Sequence, residues 1–302
     1  MLILPDIECI MKKIHIIEVP SELGAGTRGA SLGIQAVKVA ALNRGSKFFG
    51  KHDSTVIETE NELLFIDTDT PNAKYIDGIV RVYDRIAYEV SNCLNTSDDF
   101  PLVLAGDHST AGGTIAGLKK AFPEKRLGVI WIDAHADLHS PHTTPSGNVH
   151  GMPVAAALGI DNLEFAVNTI SEKEADGWKR LKECGGMVGK FNPQDLVFVA
   201  MRDREEPEAG LVNKHGIRNI KVNEFRELGP EKAAEEALGQ LAGCDMIYIS
   251  FDVDSMDSDE VSEGTGTPVE NGLLPKECSD LLASLILDDR VVCLEMVEVN
   301  PC

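Results

Sequence analysis

The 302-residue chain is 43% hydrophobic and 25% charged, an ordinary globular composition with enough apolar material for one large or two modest domains. Its 49 acidic and 28 basic residues leave a formal charge of −21, which argues against nucleic acid or an anionic membrane surface as partner. No apolar segment reaches the roughly 18 residues of a membrane span, and the seven cysteines are scattered, odd in number and never spaced C-x-x-C. They read as small core residues of a reducing, cytoplasmic compartment rather than a disulfide framework or zinc ribbon.

The first ten residues lack the basic region of a signal peptide and are expected to be an extension, with one domain over 11–302. Ile14–Val19 predicts a first strand. Gly24-Ala-Gly-Thr-Arg-Gly29 follows and matches G-x-G-x-x-G, but too far beyond the strand for a dinucleotide fingerprint, so a structural or substrate-channel loop is expected. Helical spacing runs from Ile34 to Leu42, and Glu62–Asp67 predicts a second strand. Ala73–Leu94 carries apolar residues at the period of a long amphipathic helix. Pro101–His108 predicts a strand, Gly112–Phe122 a helix, and Leu127–Ile132 a buried strand.

Helices are expected at Met152–Leu158, Ser171–Cys184, Pro230–Leu241 and Lys276–Leu287, and strands at Asp195–Met201, Ile217–Val222, Met246–Phe251 and Val291–Met296. About eight strands alternating with helices predict a largely parallel α/β sheet. Periodicity leaves two forms open, a doubly wound sheet and an eightfold barrel; both gather ligands at the carboxyl ends of strands.

Three strand ends carry metal-type ligands: His108, then Asp133, His135 and Asp137, then Asp252 and Asp254. At strand spacing, Asp133, His135 and Asp137 face one way. Each match alone is commonplace, but chance gives no reason for all three to fall at one sheet edge. Buried acids need a positive charge among them. Four carboxylates and two imidazoles are too many for one small ion and suit two divalent cations about 3.5–4 Å apart. Oxygen-rich ligation without thiolate favours Mn²⁺ over Zn²⁺. The reaction class is then metal-assisted hydrolysis, with a bridging hydroxide as nucleophile.

Gly106-Asp-His-Ser109, Asp133-Ala-His-Ala-Asp137, Ser146-Gly-Asn-Val-His-Gly151, Ser250-Phe-Asp-Val-Asp254, Gly264-Thr-Gly-Thr-Pro268 and Glu298-Val-Asn-Pro301 together resemble the arginase/agmatinase (ureohydrolase) family. Within it, the segments at 146–151 and 298–301 are similar to arginases rather than agmatinases or formimidoylglutamases. The resemblance implies a single-domain, doubly wound, mostly parallel eight-stranded sheet with helices on both faces. It also implies two Mn²⁺ per subunit on the six ligands above, and hydrolysis of L-arginine to L-ornithine and urea. It further implies that Asp137 orients the hydroxide, that His150 shuttles a proton to the departing amine, and that Glu298 holds the guanidinium.

Thr144, Ser146, Asn148 and Thr267 match substrate-binding positions. His139 stands where arginases usually carry Asn, and Glu205 where an Asp normally meets the α-amino group, so the substrate-binding set departs from the family there. Ala105 in place of the usual Gly is a minor packing change. A homo-oligomer, trimer or hexamer, is implied as well, although family members usually continue past the position of Cys302 into a further helix. A relative acting on agmatine or a guanidino acid, a non-catalytic metal-binding protein, and a nucleotide-dependent oxidoreductase using the Gly24–Gly29 loop are the alternatives. Substrate preference, urea release and NAD(H) binding separate them.

Overall fold

A computed structural model describes residues 13–97, 99–261 and 263–302; the expected extension at 1–10 lies outside these. In chain order the elements are β1 (Ile14–Val19), α1 (Gly33–Asn43), α2 (Phe48–Lys51), β2 (Asp53–Val56), α3 (Ile76–Asn92), β3 (Phe100–Ala105), α4 (Ala111–Ala121), β4 (Leu127–Ile132), α5 (Pro153–Leu158), α6 (Glu172–Glu183), β5 (Leu196–Val199), α7 (Glu206–His215), β6 (Arg218–Ile220), α8 (Val222–Leu228), α9 (Pro230–Gln240), β7 (Met246–Asp252), α10 (Pro275–Leu285) and β8 (Val291–Val297).

The strands form one open, all-parallel sheet in the order β2-β1-β3-β8-β7-β4-β5-β6. The barrel alternative is thereby removed. Parallel strands need crossovers that cover the faces, which makes the central strands apolar on both sides. β3, β4, β5 and β7 are buried along their whole length. Alternate residues divide between two cores. Ile130, Ile132, Ile247, Ile249 and Phe251 pack with Ala233, Ala237, Leu281 and Leu285 of α9 and α10. Val129, Trp131, Val103 and Tyr248 pack on the other face with Val82, Ile86, Ile115 and Val154 of α3, α4 and α5.

One predicted strand is misplaced. Glu62–Asp67 is not a strand; Asn61–Phe65 forms a short 3-10 stretch, and the sheet is completed by the polar Asp53-Ser-Thr-Val56. An edge strand has one partner and open faces, so it needs no apolar residues. The apolar run that resembled a strand instead leaves Phe65 and Ile66 in solvent. Helices α7 and α8 were not foreseen; α7 opens with Pro207 in its first turn, a position where a missing N–H costs nothing. Among the described residues no helix is long and apolar enough to cross a membrane.

The sheet order decides where the site lies. β3, β8, β7 and β4 are neighbours, and successive connections diverge there, so their carboxyl ends frame a crevice. Behind them α3 and α4 pack closely through Gly117, where an added Cβ would sit 2.7 Å from Val90 Cβ and 3.0 Å from the Ala87 carbonyl. Gly117→Val is therefore expected to cost about 1–3 kcal/mol by overpacking. The check is a thermal melt, in which an unchanged midpoint would contradict this packing.

Candidate metal centre

Beyond β3, Asp107 caps a 3-10 turn, accepting from the N–H of Ser109 (2.9 Å) and of Gly24 (3.1 Å). The turn aims the buried His108 ring into the crevice. That ring stacks on the Trp131 indole, with centroids 4.2 Å apart and planes 8° from parallel. Its Nε2 lies 2.7 Å from Ser250 Oγ. With Nε2 engaged, Nδ1 faces Asp133, Asp137 and Asp252, each offering a carboxylate oxygen at 3.1 Å. Yet neither this nitrogen nor Asp137 Oδ2 has a hydrogen-bond partner. Buried donor atoms converging without hydrogen bonds fit a cation held among them.

Strand alternation is not what brings Asp133, His135 and Asp137 together. β4 ends at Ile132, and the segment after it bends. The bend is held by main chain: Asp133 N–H donates to the Val199 carbonyl, and the Ala134 carbonyl accepts from the N–H groups of Arg202 and Asp203. Asp137 adopts a left-handed backbone, φ 51°, an uncommon state for a non-glycine residue and one that gathers at functional sites. Asp133 Oδ2 faces His108 and accepts from Trp131 Nε1 (2.9 Å), while Oδ1 accepts from the His135 N–H (2.7 Å). His135 Nδ1 lies 2.9 Å from Asp254 Oδ2. Two ligand sets result, His108–Asp133–Asp137 and Asp133–His135–Asp254, with Asp133 in both. Asp252 joins the first set through His108.

Burial and close neighbours shift these side chains in opposite directions. Burial, reinforced by the charge of Asp133, pushes the Asp137 carboxyl up to about 7. Burial and neighbouring carboxylates also raise Asp252 and Asp254. Burial works against ionised Asp133, but His108 and His135 outweigh it and hold that carboxyl below the usual range. Burial likewise opposes charging of both imidazoles, and the surrounding acids still raise them. These four carboxylates and two imidazoles therefore compete for too little positive charge.

Glu298 stands just past β8 in a left-handed backbone, φ 64°, its N–H donating to the Gly106 carbonyl at 2.7 Å. Its Oε1 accepts from the His108 N–H (2.9 Å) and lies 3.2 Å from His150 Nδ1. Oε2 is buried and has no partner. Burial disfavours charge on both side chains, but their contact lowers the Glu298 carboxyl and raises the His150 imidazole.

The remaining predicted residues lie in the flanking loops. His139 Nε2 is 3.5 Å from Glu205 Oε2 and 3.6 Å from Glu208 Oε2, with Nδ1 3.1 Å from Thr143 Oγ1. Thr144 Oγ1 accepts from the N–H groups of Ser146 and Gly147, and Ser146 Oγ from that of Asn148, so these side chains shape their own turn. Asn148 Oδ1 accepts from Lys74 Nζ. Thr267 donates to Asp254 Oδ2 at 3.1 Å, placing its hydroxyl on a candidate ligand.

Several supporting residues were missed in the sequence. Trp131 was legible only as a strand residue, although it shares a strand parity with Asp133, and Ser250 only as the opening residue of the Ser250–Asp254 motif. Glu208 is buried on α7 and accepts from the N–H groups of Leu138 and Glu205; burial pushes its carboxyl up to about 7. Arg202, beyond β5, donates to the carbonyls of Asp254, Met256 and Val269, tying down the loop behind the centre.

Comparison with known proteins agrees with this fold. The arginase family model matches residues 12–302. The arginase of Brevibacillus brevis is 35% identical over 296 residues, spanning 96% of this chain and 91% of the relative. Among solved structures, arginase from Bacillus caldovelox superposes with a TM-score of 0.79 at 32% identity, covering 96% of this chain and 92% of the other. Arginase from Entamoeba histolytica in complex with L-ornithine gives 0.79 at 25% identity over 96% and 92%. The family-model match over residues 12–302 and the 35% identity to a relative covered to 91% make the chain a member of the arginase family.

Proposed function

We propose that this chain is a manganese-dependent arginase that hydrolyses L-arginine to L-ornithine and urea. The observation that carries the reading is the pair of overlapping ligand sets sharing Asp133. His108, Asp133, Asp137 and Asp252 would hold one Mn²⁺, and Asp133, His135 and Asp254 the other; oxygen-rich donors with imidazole and no thiolate suit that ion. When bound, such a pair acidifies water and supplies the nucleophile at neutral pH.

The protein side of the chemistry follows from the surrounding groups. Glu298 offers its unpartnered Oε2 to the guanidinium, a planar cation that carboxylates pair with bidentately. Fixing both atoms of that contact holds the guanidinium carbon in place for attack. Asp137, also among the proposed ligands, presents its carboxylate to orient the attacking water and take its proton. His150, anchored by Nδ1 on Glu298, carries a proton to the departing amine. Burial of Asp133, Asp252, Asp254 and Glu298 to 1–2% exposure keeps bulk solvent from screening these contacts.

That an arginase of this fold was obtained with L-ornithine supports the amino-acid product. A second reading, hydrolysis of another guanidino compound, draws on the His139–Glu205 pair, which places an imidazole against a carboxylate where the substrate tail would be read. Cytoplasmic residence belongs to the proposal, consistent with buried free thiols at Cys93, Cys184, Cys244, Cys278 and Cys293, as does a homo-oligomeric state.

The direct test is urea release from L-arginine, agmatine and guanidino acids with and without Mn²⁺. L-arginine should lead, and a preference for agmatine would refute the arginase assignment. Glu298→Gln keeps the shape but removes the anion, so kcat/KM should fall roughly 100-fold or more, as for loss of a charge-assisted bidentate contact in a buried site. Metal analysis after dialysis gives a third check. Asp133→Asn should weaken both sites, whereas His135→Asn should leave close to one ion per chain; equal losses would contradict the shared ligand.

A further inference from the structure

Glu295 of β8 is a buried acid with no part in the chemistry above. Parallel pairing sets it in a row across the middle of the sheet, where Val103 of β3, Glu295, Ser250 of β7 and Trp131 of β4 are successive register partners. A carboxylate in so apolar a place must be answered by hydrogen bonds. Two hydroxyls supply them: Tyr248 donates to Oε2 at 2.6 Å, and Thr110 to Oε1 at 3.0 Å.

A carboxylate that only accepts fixes the direction of each bond beyond it. Tyr248 has one O–H and gives it to Glu295, which leaves the phenol oxygen to accept. Tyr248 and Ser250 are two apart on β7 and so share a face of the sheet. Burial and the Glu295 charge raise the Tyr248 phenol well above its ordinary value, and a hydrogen bond from Ser250 opposes that rise. With its one proton turned to Tyr248, Ser250 Oγ can only accept from His108 Nε2, 2.7 Å away. Nε2 is then the protonated nitrogen, and Nδ1 keeps its lone pair toward Asp133, Asp137 and Asp252. A metal takes an imidazole only through such a lone pair, and the bond made by the other nitrogen decides where that pair sits.

We propose that Glu295 is a positioning residue for the metal centre: through Tyr248 and Ser250 it holds the His108 proton on Nε2, so that Nδ1 is presented to a cation. The proposal rests on the metal-centre reading and deepens it. Its reach is one-sided. His135 stands outside this relay, with Nδ1 against Asp254 and Nε2 3.8 Å from the exposed Asp203. Glu295 therefore serves the ion of the His108 set and not that of the His135 set.

Tyr248→Phe cuts the relay and leaves Glu295 in place, whereas Glu295→Gln removes the charge that directs it. In calorimetric titration of the metal-free protein with Mn²⁺, each variant should bind one ion about tenfold or more weakly than the wild type, the scale of a lost outer-shell partner. The other ion should bind as before. In NMR spectra of isotope-labelled histidine in the metal-free protein, the His108 Nε2–H proton should move upfield and exchange faster with water in both variants, while the His135 signals stay in place. A thermal melt shows that a variant is folded, and should one of the two fail to fold, the other carries the test. Unchanged Mn²⁺ binding, an unmoved His108 proton, or equal weakening of both ions would each overturn the proposal. If the wild type bound no Mn²⁺, the manganese reading would fail, and the His108 proton alone would decide the relay.

Discussion

Uncompensated negative charge, buried at the carboxyl ends of β3, β8, β7 and β4, is the constraint that the rest of this structure serves. Asp133, Asp137, Asp252 and Asp254 crowd around two imidazoles, and burying ions without partners costs far more than any single packing contact returns. A fold would not retain such a cluster for stability. Divalent cations would resolve it, and the two ligand sets that share Asp133 are the groups that could hold them. The left-handed backbones of Asp137 and Glu298 belong to the same account, because local strain persists where the surroundings dictate a side chain's aim.

Support for the cluster is as specific as the cluster itself. Trp131 stacks on His108 and donates to Asp133, so one indole fixes an imidazole plane and a carboxylate rotamer at once. Ser250 engages Nε2 of His108 and leaves Nδ1 for the centre. Arg202 spends its guanidinium on main-chain carbonyls and steadies the segment from Asp254 to Val269. Groups of this kind hold geometry to fractions of an ångström, which is what positional catalysis requires.

The residues of the proposed substrate pocket fall into two groups. At one end lies the buried Glu298 carboxylate, whose Oε2 has no hydrogen-bond partner. Toward the solvent, the loop bearing Asn148 is clamped against the segment preceding α3, and His139 leans on Glu205 and Glu208 of the α7 start. The two departures from the family pattern, His139 and Glu205, both lie in this second group.

Much of this was legible beforehand. The apolar runs of the central strands, the helical spacing of α3 and the acid and imidazole residues after three strands follow from local periodicity and side-chain chemistry, which a sequence displays directly. So does the class of reaction, since the ligand types alone call for divalent cations. The edge strand at Asp53–Val56 was not legible, because a strand paired on one side needs no apolar signature, whereas the exposed run ending in Phe65 and Ile66 carried one. Nor could periodicity foresee that Asp133, His135 and Asp137 converge through a bend rather than through strand alternation. Tertiary structure alone set residues 108, 298, 252 and 133 at the ends of adjacent strands, placed an indole against an imidazole, and brought Lys74 to Asn148. Those contacts span tens to hundreds of residues, and only the order in which strands pair fixes which distant side chains meet.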